Sequence, residues 1–270
     1  MSFSDSGAGG EWMEFRHRTV LVTGAAQGIG AATAQMLARQ GAALALLDRD
    51  EERLHDTAAS LRALGVPVFA QALDLTDIAA LDDAVATIER EFGAIRHLAH
   101  VAGILRTGEV LDSRLEDWDA CMAINARAVY GSTRAVARVM AARGHGSIVV
   151  VGSNAATVPR VGMAAYAASK AAASQYLRCL ALELAPLGIR CNLVSPGSTD
   201  TAMQRAFAGD AQARRDILDG VPQRWRLGIP LRRIADPQDI AEAVCFLLSD
   251  RARHITLHDL RVDGGATLDA

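Results

Sequence analysis

The chain has 270 residues, half of them in the apolar class, and 28 basic against 31 acidic residues leave a net charge of −3. That length suits one α/β domain, and the mixed, near-neutral charge argues against nucleic acid or an anionic membrane surface as partner. Cys121, Cys179, Cys191 and Cys245 are too widely spaced for a ligand pattern, so no metal is expected and a reducing cytoplasm is the expected location.

Residues 1–16 lack a basic-then-apolar leader and are expected to be a flexible extension before a single domain over 17–270. No apolar stretch reaches membrane-spanning length. Arg18 to Thr23 reads as a strand, followed by G-A-A-Q-G-I-G with Gly24, Gly28 and Gly30, then a helical run up to Gly41. Strand, glycine turn and helix are the setting of a dinucleotide site, where backbone N–H groups and the helix N-terminus meet a pyrophosphate. The spacing is G-x-x-x-G-x-G, without the G-K-[ST] ending of a triphosphate loop. A second strand, 42–47, runs into Asp48, placed to hold a ribose 2′-hydroxyl and repel a 2′-phosphate, which favours NAD over NADP. Arg49 could instead turn toward a phosphate, and Asp48 could also cap the next helix, with Glu51 three residues on.

A helix is expected over 51–64, a third strand over 66–70 with Pro67 near its start, and a helix over 78–92 capped by Thr76 or Asp77. Asp74, on the same rim as Asp48, is placed to meet an adenine ring. A fourth strand and its glycine exit take 95–103, with His97 and His100 read as structural. Repeated strand–helix alternation predicts a parallel sheet with right-handed crossovers. Residues 118–143 read as one long helix containing Asn125, either a satisfied core amide or a functional group able to hold a water near Lys170.

The stretch 147–170 carries the chemistry. An apolar run, Ile148 to Val151, predicts a buried strand that delivers Ser153 to its end. Tyr166 and Lys170, four apart on an alanine-rich helix, share one face. An ammonium near a phenol favours the phenolate, which can take the proton of a substrate alcohol while hydride leaves the same carbon. Ser153 can hold the substrate oxygen. As an isolated pair, Tyr166 and Lys170 would equally suit a helix surface; the glycine turn upstream favours the chemical reading. That helix is expected to end near Leu184. A strand over 189–194 leads into S-P-G-S-T-D-T, where Pro196 and Gly197 turn the chain. Thr199 and Thr201 suit cofactor contacts, or Ser198, Thr199 or Asp200 caps a helix. Residues 198–230 are expected to cover a pocket with one or two short helices. A helix over 237–249, capped by Asp236, and a strand and turn over 260–265 complete the chain.

Taken together, T-G-A-A-Q-G-I-G at 23–30, Asn125, Ser153, Y-A-A-S-K at 166–170 and P-G-S-T-D-T at 196–201 resemble the short-chain dehydrogenase/reductase family over 17–268. H-V-A-G at 100–103 departs from the asparagine that commonly precedes A-G there. The resemblance implies a Rossmann-type doubly wound domain, a seven-stranded parallel sheet flanked by helices. It implies a catalytic set of Asn125, Ser153, Tyr166 and Lys170, with Tyr166 as acid/base and Asn125 supporting a proton-relay water. Lys170 would lower the tyrosine pKa and bind the nicotinamide ribose. The expected NAD contacts are Gly24, Gln27, Gly28, Ile29, Gly30, Asp48, Arg49, Asp74, Leu75, Ala102, Gly103, Tyr166, Lys170, Pro196, Gly197, Thr199 and Thr201. A homotetramer is also implied.

Further segments, A-G-I-L-R-T-G at 102–108, P-R-V-G-M-A-A-Y at 159–166 and S-P-G-S-T-D-T-A-M-Q-R at 195–205 among them, resemble the branch of that family that oxidises cyclohexadiene diol acids. A cyclic hydroxy acid is therefore the expected small-molecule partner, with Ser153, Arg106, Arg160, Met203 and Gln204 as expected substrate contacts. Either arginine could hold a carboxylate, or be solvated or buried between subunits. A steroid or sugar alcohol, or NAD binding without turnover, are the alternatives.

Overall fold

Seven strands form one parallel sheet: β1 (Thr19–Thr23), β2 (Ala43–Asp48), β3 (Val68–Ala72), β4 (Ile95–His100), β5 (Gly146–Val151), β6 (Ile189–Pro196) and β9 (Asp259–Val262), in the order β3-β2-β1-β4-β5-β6-β9. The computed structural model describes residues 13–268. The seven-stranded doubly wound architecture is as expected. The strands are apolar on both sides because both faces are covered. Val20 and Val22, Leu44 and Leu46, Val149 and Val151 point to one core, with helices α1 (Gly28–Arg39), α2 (Glu51–Arg62) and α9 (Pro237–Leu248). The alternate residues Leu21, Ala45, Leu47, Ile148 and Val150 point to the other, with α3 (Ile78–Thr87), α5 (Ala128–Arg143) and α6 (Ala164–Leu184). Sheet order reverses between β1 and β4, so the crevice at the carboxyl ends of these strands is where ligands bind in such sheets.

Several boundaries differ from expectation. The third strand lies two residues later, at Val68–Ala72: the Pro67 carbonyl accepts from Leu44 N–H, but Pro67 has no N–H to give the ladder. The helix expected over 78–92 is α-helical only to Thr87 and closes as a π turn, Ile88–Phe92. The helix expected over 118–143 begins earlier, as α4 (Leu115–Met122), and passes through a second π turn, Ala123–Arg127, before α5. The last strand ends at Val262, and 263–265 form the turn. Of the extension expected over 1–16, residues 1–12 lie outside the described residues, and 13–16 are corrected. Phe15 is fully buried, its N–H donates to the Gln40 carbonyl, and its ring meets His97 edge-on at 5.3 Å. Residues 13–16 therefore belong to the domain, closing the foot of the sheet.

Between β6 and α9 the chain forms α7 (Ala202–Phe207), α8 (Ala211–Asp219) and an antiparallel hairpin, β7 (Gly220–Val221) with β8 (Arg226–Leu227). Among the described residues no helix is long and apolar enough to cross a membrane.

Candidate active site

A cavity of about 550 Å³ opens at the carboxyl rim of the sheet, lined by residues from the turns after β4, β5 and β6 and from α6, α7, α8 and the hairpin. One end meets the glycine turn. There Gly30 is required by space: a Cβ on it would lie 1.9 Å from the Gly24 carbonyl oxygen. Gln27, at the N-cap of α1, makes no side-chain capping bond, and no acid occupies the first turn. The leading N–H groups of α1 are thus left to an anion. Thr201 closes over this turn, its Cγ2 3.3 Å from where a Gly28 Cβ would stand. Thr201 also caps α7 by accepting from Gln204 N–H at 3.2 Å, so the cap expected at Ser198, Thr199 or Asp200 lies one residue further on. Thr199 is buried beside Pro196 and Gly197 on the same rim, and Ile29 lines the cavity.

Asp48 stands at the end of β2, accepting from Ala26 N–H and Asp50 N–H, both at 3.0 Å. It does not cap α2; Asp50 does, accepting from Arg53 N–H at 3.2 Å. Gln27 accepts from the Arg53 guanidinium at 3.1 Å, and Arg49 is exposed. Asp74 accepts from the Thr76 N–H and hydroxyl at 2.9 and 2.8 Å, which hold its carboxyl below the usual carboxylate range. Leu75 beside it is buried. Thr23 accepts from Val101 N–H at 3.2 Å and Ala102 N–H at 3.4 Å, tying the rim after β4 to β1. The residues present fit a dinucleotide: a tight backbone cradle, an uncapped helix start and a carboxylate at the second strand end.

The other end holds the polar set. Ser153 follows β5 and accepts from Ala155 N–H at 3.1 Å, which fixes its rotamer at the cavity wall. Tyr166 and Lys170 both line the cavity from α6. The Lys170 ammonium donates to the Val151 carbonyl at 2.9 Å, tethering α6 to the end of β5, and burial pulls its pKa down to about 8. The Tyr166 hydroxyl is enclosed; burial pushes its pKa up, and a hydrogen bond from Ser153 opposes this. The lowering expected from Lys170 is not seen in the protein alone: burial raises the phenol, and the opposing effect comes from Ser153.

Asn125 sits in the π turn, fully buried. Its amide oxygen accepts from Ile104 N–H at 2.9 Å, and its amide nitrogen donates to the Ile104 carbonyl at 2.9 Å and the Ser169 hydroxyl at 3.0 Å. The side chain is therefore a clamp on the loop after β4, and its amide is already occupied by protein. The π turn is what lets a polar residue leave the helical ladder at this point. Gly103 fills the gap between it and Lys170; a Cβ there would lie 3.1 Å from the Asn125 amide oxygen and 3.2 Å from the Lys170 nitrogen.

Arg106 does not line the cavity. Its guanidinium pairs with Asp117 at 3.2 Å, on the outer side of the loop. Arg160, Met203 and Gln204 do line it, and the Gln204 amide nitrogen is buried with no hydrogen-bond partner among the described residues. Sequence reasoning missed Asp216, Arg224 and Arg226 in the wall. The only available signal was R-W-R at 224–226 between Pro222 and Gly228.

A family model described as Enoyl-(Acyl carrier protein) reductase matches residues 24–267. The chain is 49% identical over 251 residues to a 2,3-dihydro-2,3-dihydroxybenzoate dehydrogenase of Bacillus subtilis (strain 168), covering 93% of this chain and 96% of that one. Among solved structures, a short chain dehydrogenase/reductase family protein is 35% identical with a TM-score of 0.81, covering 93% of this chain and 98% of that one. A 7 alpha-hydroxysteroid dehydrogenase complexed with NADH and 7-oxo glycochenodeoxycholic acid superposes with a TM-score of 0.87 at 27% identity, covering 96% and 98%. Matches that run from the glycine turn to the last strand cover the cradle and the Ser153–Tyr166–Lys170 set together, and on that ground the chain belongs to the short-chain dehydrogenase/reductase family.

Proposed function

We propose that this protein oxidises 2,3-dihydro-2,3-dihydroxybenzoate at its C3 alcohol with NAD, giving 2,3-dihydroxybenzoate after tautomerisation, in catechol-siderophore biosynthesis. The observation that carries the reading is one cavity uniting the dinucleotide cradle, Ser153, Tyr166 and Lys170 with an arginine, Arg160, in its wall. The near-full-length likeness to a dehydrogenase of that ring acid supports it.

NAD, when bound at the cradle, supplies the hydride acceptor and a positively charged ring. Ser153 donates a hydrogen bond to the C3 oxygen and orients it. Tyr166 takes the hydroxyl proton as the C–H bond breaks with its electron pair, leaving a ketone. The Lys170 ammonium, held by the Val151 carbonyl, supplies the positive charge that favours the Tyr166 phenolate before it takes this proton. The ketone then shifts a ring proton to oxygen and becomes aromatic, which draws the oxidation forward. Gln204, with its unpartnered amide nitrogen, offers a donor to a ring oxygen. The segment 198–230 covers the substrate, and mobility of such a segment would exclude water during transfer. Assembly as a homotetramer belongs to the same reading, supported by exposed Trp118, Tyr130 and Leu182 on α4, α5 and α6. So does a cytoplasmic location, supported by the free state of all four cysteines.

Mixing the protein with NAD and trans-2,3-dihydro-2,3-dihydroxybenzoate is expected to yield NADH absorbance and catechol-type fluorescence in equal amounts. NAD binding without either signal would overturn the substrate while leaving the cradle. Asp48→Asn keeps the side chain's size but removes its charge. It is expected to raise the KM for NAD about tenfold and to narrow the preference over NADP, as steady-state titration with each cofactor will read.

A further inference from the structure

In the segment after β6, the arginines that pair with acids and those that line the cavity are different residues. Arg205 pairs with Asp200 at 2.7 Å, Arg232 with Asp219 at 2.6 Å and Arg233 with Asp239 at 2.6 Å. These are outward, neutralised pairs. Arg224 and Arg226, at the hairpin turn, make no side-chain hydrogen bond or ion pair among the described residues, and both line the cavity. Arg160, on the loop after β5, shares both properties.

The three approach one another across the mouth. Arg160 and Arg224 both act electrostatically on Arg226, and burial adds to the strain on its charge, as it does for Arg160. A Cβ on Gly162, two residues after Arg160, would stand 3.6 Å from an Arg224 Nη atom, so the loop and the hairpin nearly touch. Trp225, between the two hairpin arginines, is held at φ 52°, a conformation that costs a non-glycine residue free energy. The cavity wall carries Arg160, Arg224, Arg226 and Lys170 against Glu109 and Asp216. Asp216 favours the Arg226 charge and Asp263 the Arg160 charge, but burial outweighs both, and like charges gathered in such a cleft are unfavourable in the free protein. An anion between them would offset that repulsion and gain charge-assisted, bidentate hydrogen bonds.

We propose that Arg160, Arg224 and Arg226 form the receptor for the substrate's ring carboxylate, with the hairpin arginines as specificity-determining residues. This deepens the reading of the cavity as a ring-acid site and rests on it. Because Arg160 stands on the loop after β5 and the other two on the hairpin, a carboxylate held between them joins the hairpin to the body of the domain. The free acid is the ligand, and a ring lacking the carboxylate loses both the anchor and this joining.

The test is binding first and turnover second. Fluorescence titration of the NADH-loaded protein with 2,3-dihydroxybenzoate, and with catechol in competition, reads the anchor without chemistry. Wild type is expected to prefer the acid by 30-fold or more. Arg226→Gln and Arg160→Gln are each expected to weaken the acid tenfold or more, leave catechol within twofold, and leave NADH affinity unchanged; Arg226→Lys is expected to recover part of the loss. In turnover the Gln variants should raise KM for the dihydrodiol acid far more than they lower kcat, and oxidise neutral cyclohexadiene diol as wild type does. Equal affinity for acid and catechol, or variants that bind the acid like wild type, would overturn the receptor while turnover of the acid would still uphold the reaction. Failure of wild type to bind or oxidise the acid would sink the reaction and the receptor together. Unchanged NADH binding excludes simple misfolding of a variant.

Discussion

Tyr166→Phe is expected to lower kcat by about 10³-fold while leaving NAD affinity and stability close to wild type. The change removes one hydroxyl from an enclosed site and keeps the ring that packs there. What is lost is the proton acceptor next to the substrate oxygen. Burial holds the phenol above its ordinary pKa in the protein alone, and the Ser153 hydrogen bond only partly opposes this. Positive charge must therefore be supplied nearby when the proton moves, and Lys170 is the side chain in place to do so. Its ammonium is fixed by the Val151 carbonyl and already has a pKa drawn down to about 8 by burial. Steady-state kinetics of the variant, with NAD binding followed by fluorescence, checks the expectation. Turnover within tenfold of wild type would remove Tyr166 from the proton transfer.

Acid is expected to destabilise the fold well before carboxylates titrate, through two buried histidines. His97 and His100 are both neutral in the fold, with pKa values pushed down to about 3, chiefly by burial. The His97 Nδ1 lies 3.1 Å from the Ser147 hydroxyl, which itself donates to the Leu248 carbonyl. The His100 Nδ1 lies 2.7 Å from the Ser132 hydroxyl, which donates to the Ala128 carbonyl. Each serine proton is committed to a carbonyl, so each imidazole donates from Nδ1, and each Nε2 is buried with no partner among the described residues. A second proton would place an unpartnered charge in the core. Arg18, Arg96 and Arg190 would repel it at His97, with Asp250 opposing them; Lys170 would repel it at His100, with the Ala102 backbone opposing.

The unfolded chain takes up these protons near 6.5, whereas the fold resists them down to about 3. The stability they contribute is therefore complete above 6.5 and lost as pH falls through that window. At pH 5 the loss is about 2 kcal/mol per histidine. Denaturant unfolding at fixed protein concentration, at pH 7.5 and pH 5, will read it, with His97→Gln and His100→Asn as comparisons. Each variant should flatten the pH dependence even where its stability at pH 7.5 is lower. Parallel pH profiles for wild type and both variants would rule out this source of acid sensitivity.

Features that depend on a few neighbouring residues were legible in the sequence. Alternating apolar runs and helical stretches determined the parallel sheet, because each strand must be apolar on both faces when helices cover both. The glycine spacing determined the cradle, since Gly30 has no room for a Cβ against the Gly24 carbonyl. The four-residue separation of Tyr166 and Lys170 put both on one helix face. Tertiary structure decided what depends on packing between distant segments. It turned Arg106 outward to Asp117 and brought Arg160 together with Arg224 and Arg226 from a hairpin more than sixty residues away. It occupied the Asn125 amide with Ile104 and Ser169, and it buried Phe15 against His97. It also set the Tyr166 and Lys170 pKa values, because desolvation is a property of the enclosing walls and not of the spacing between the two residues.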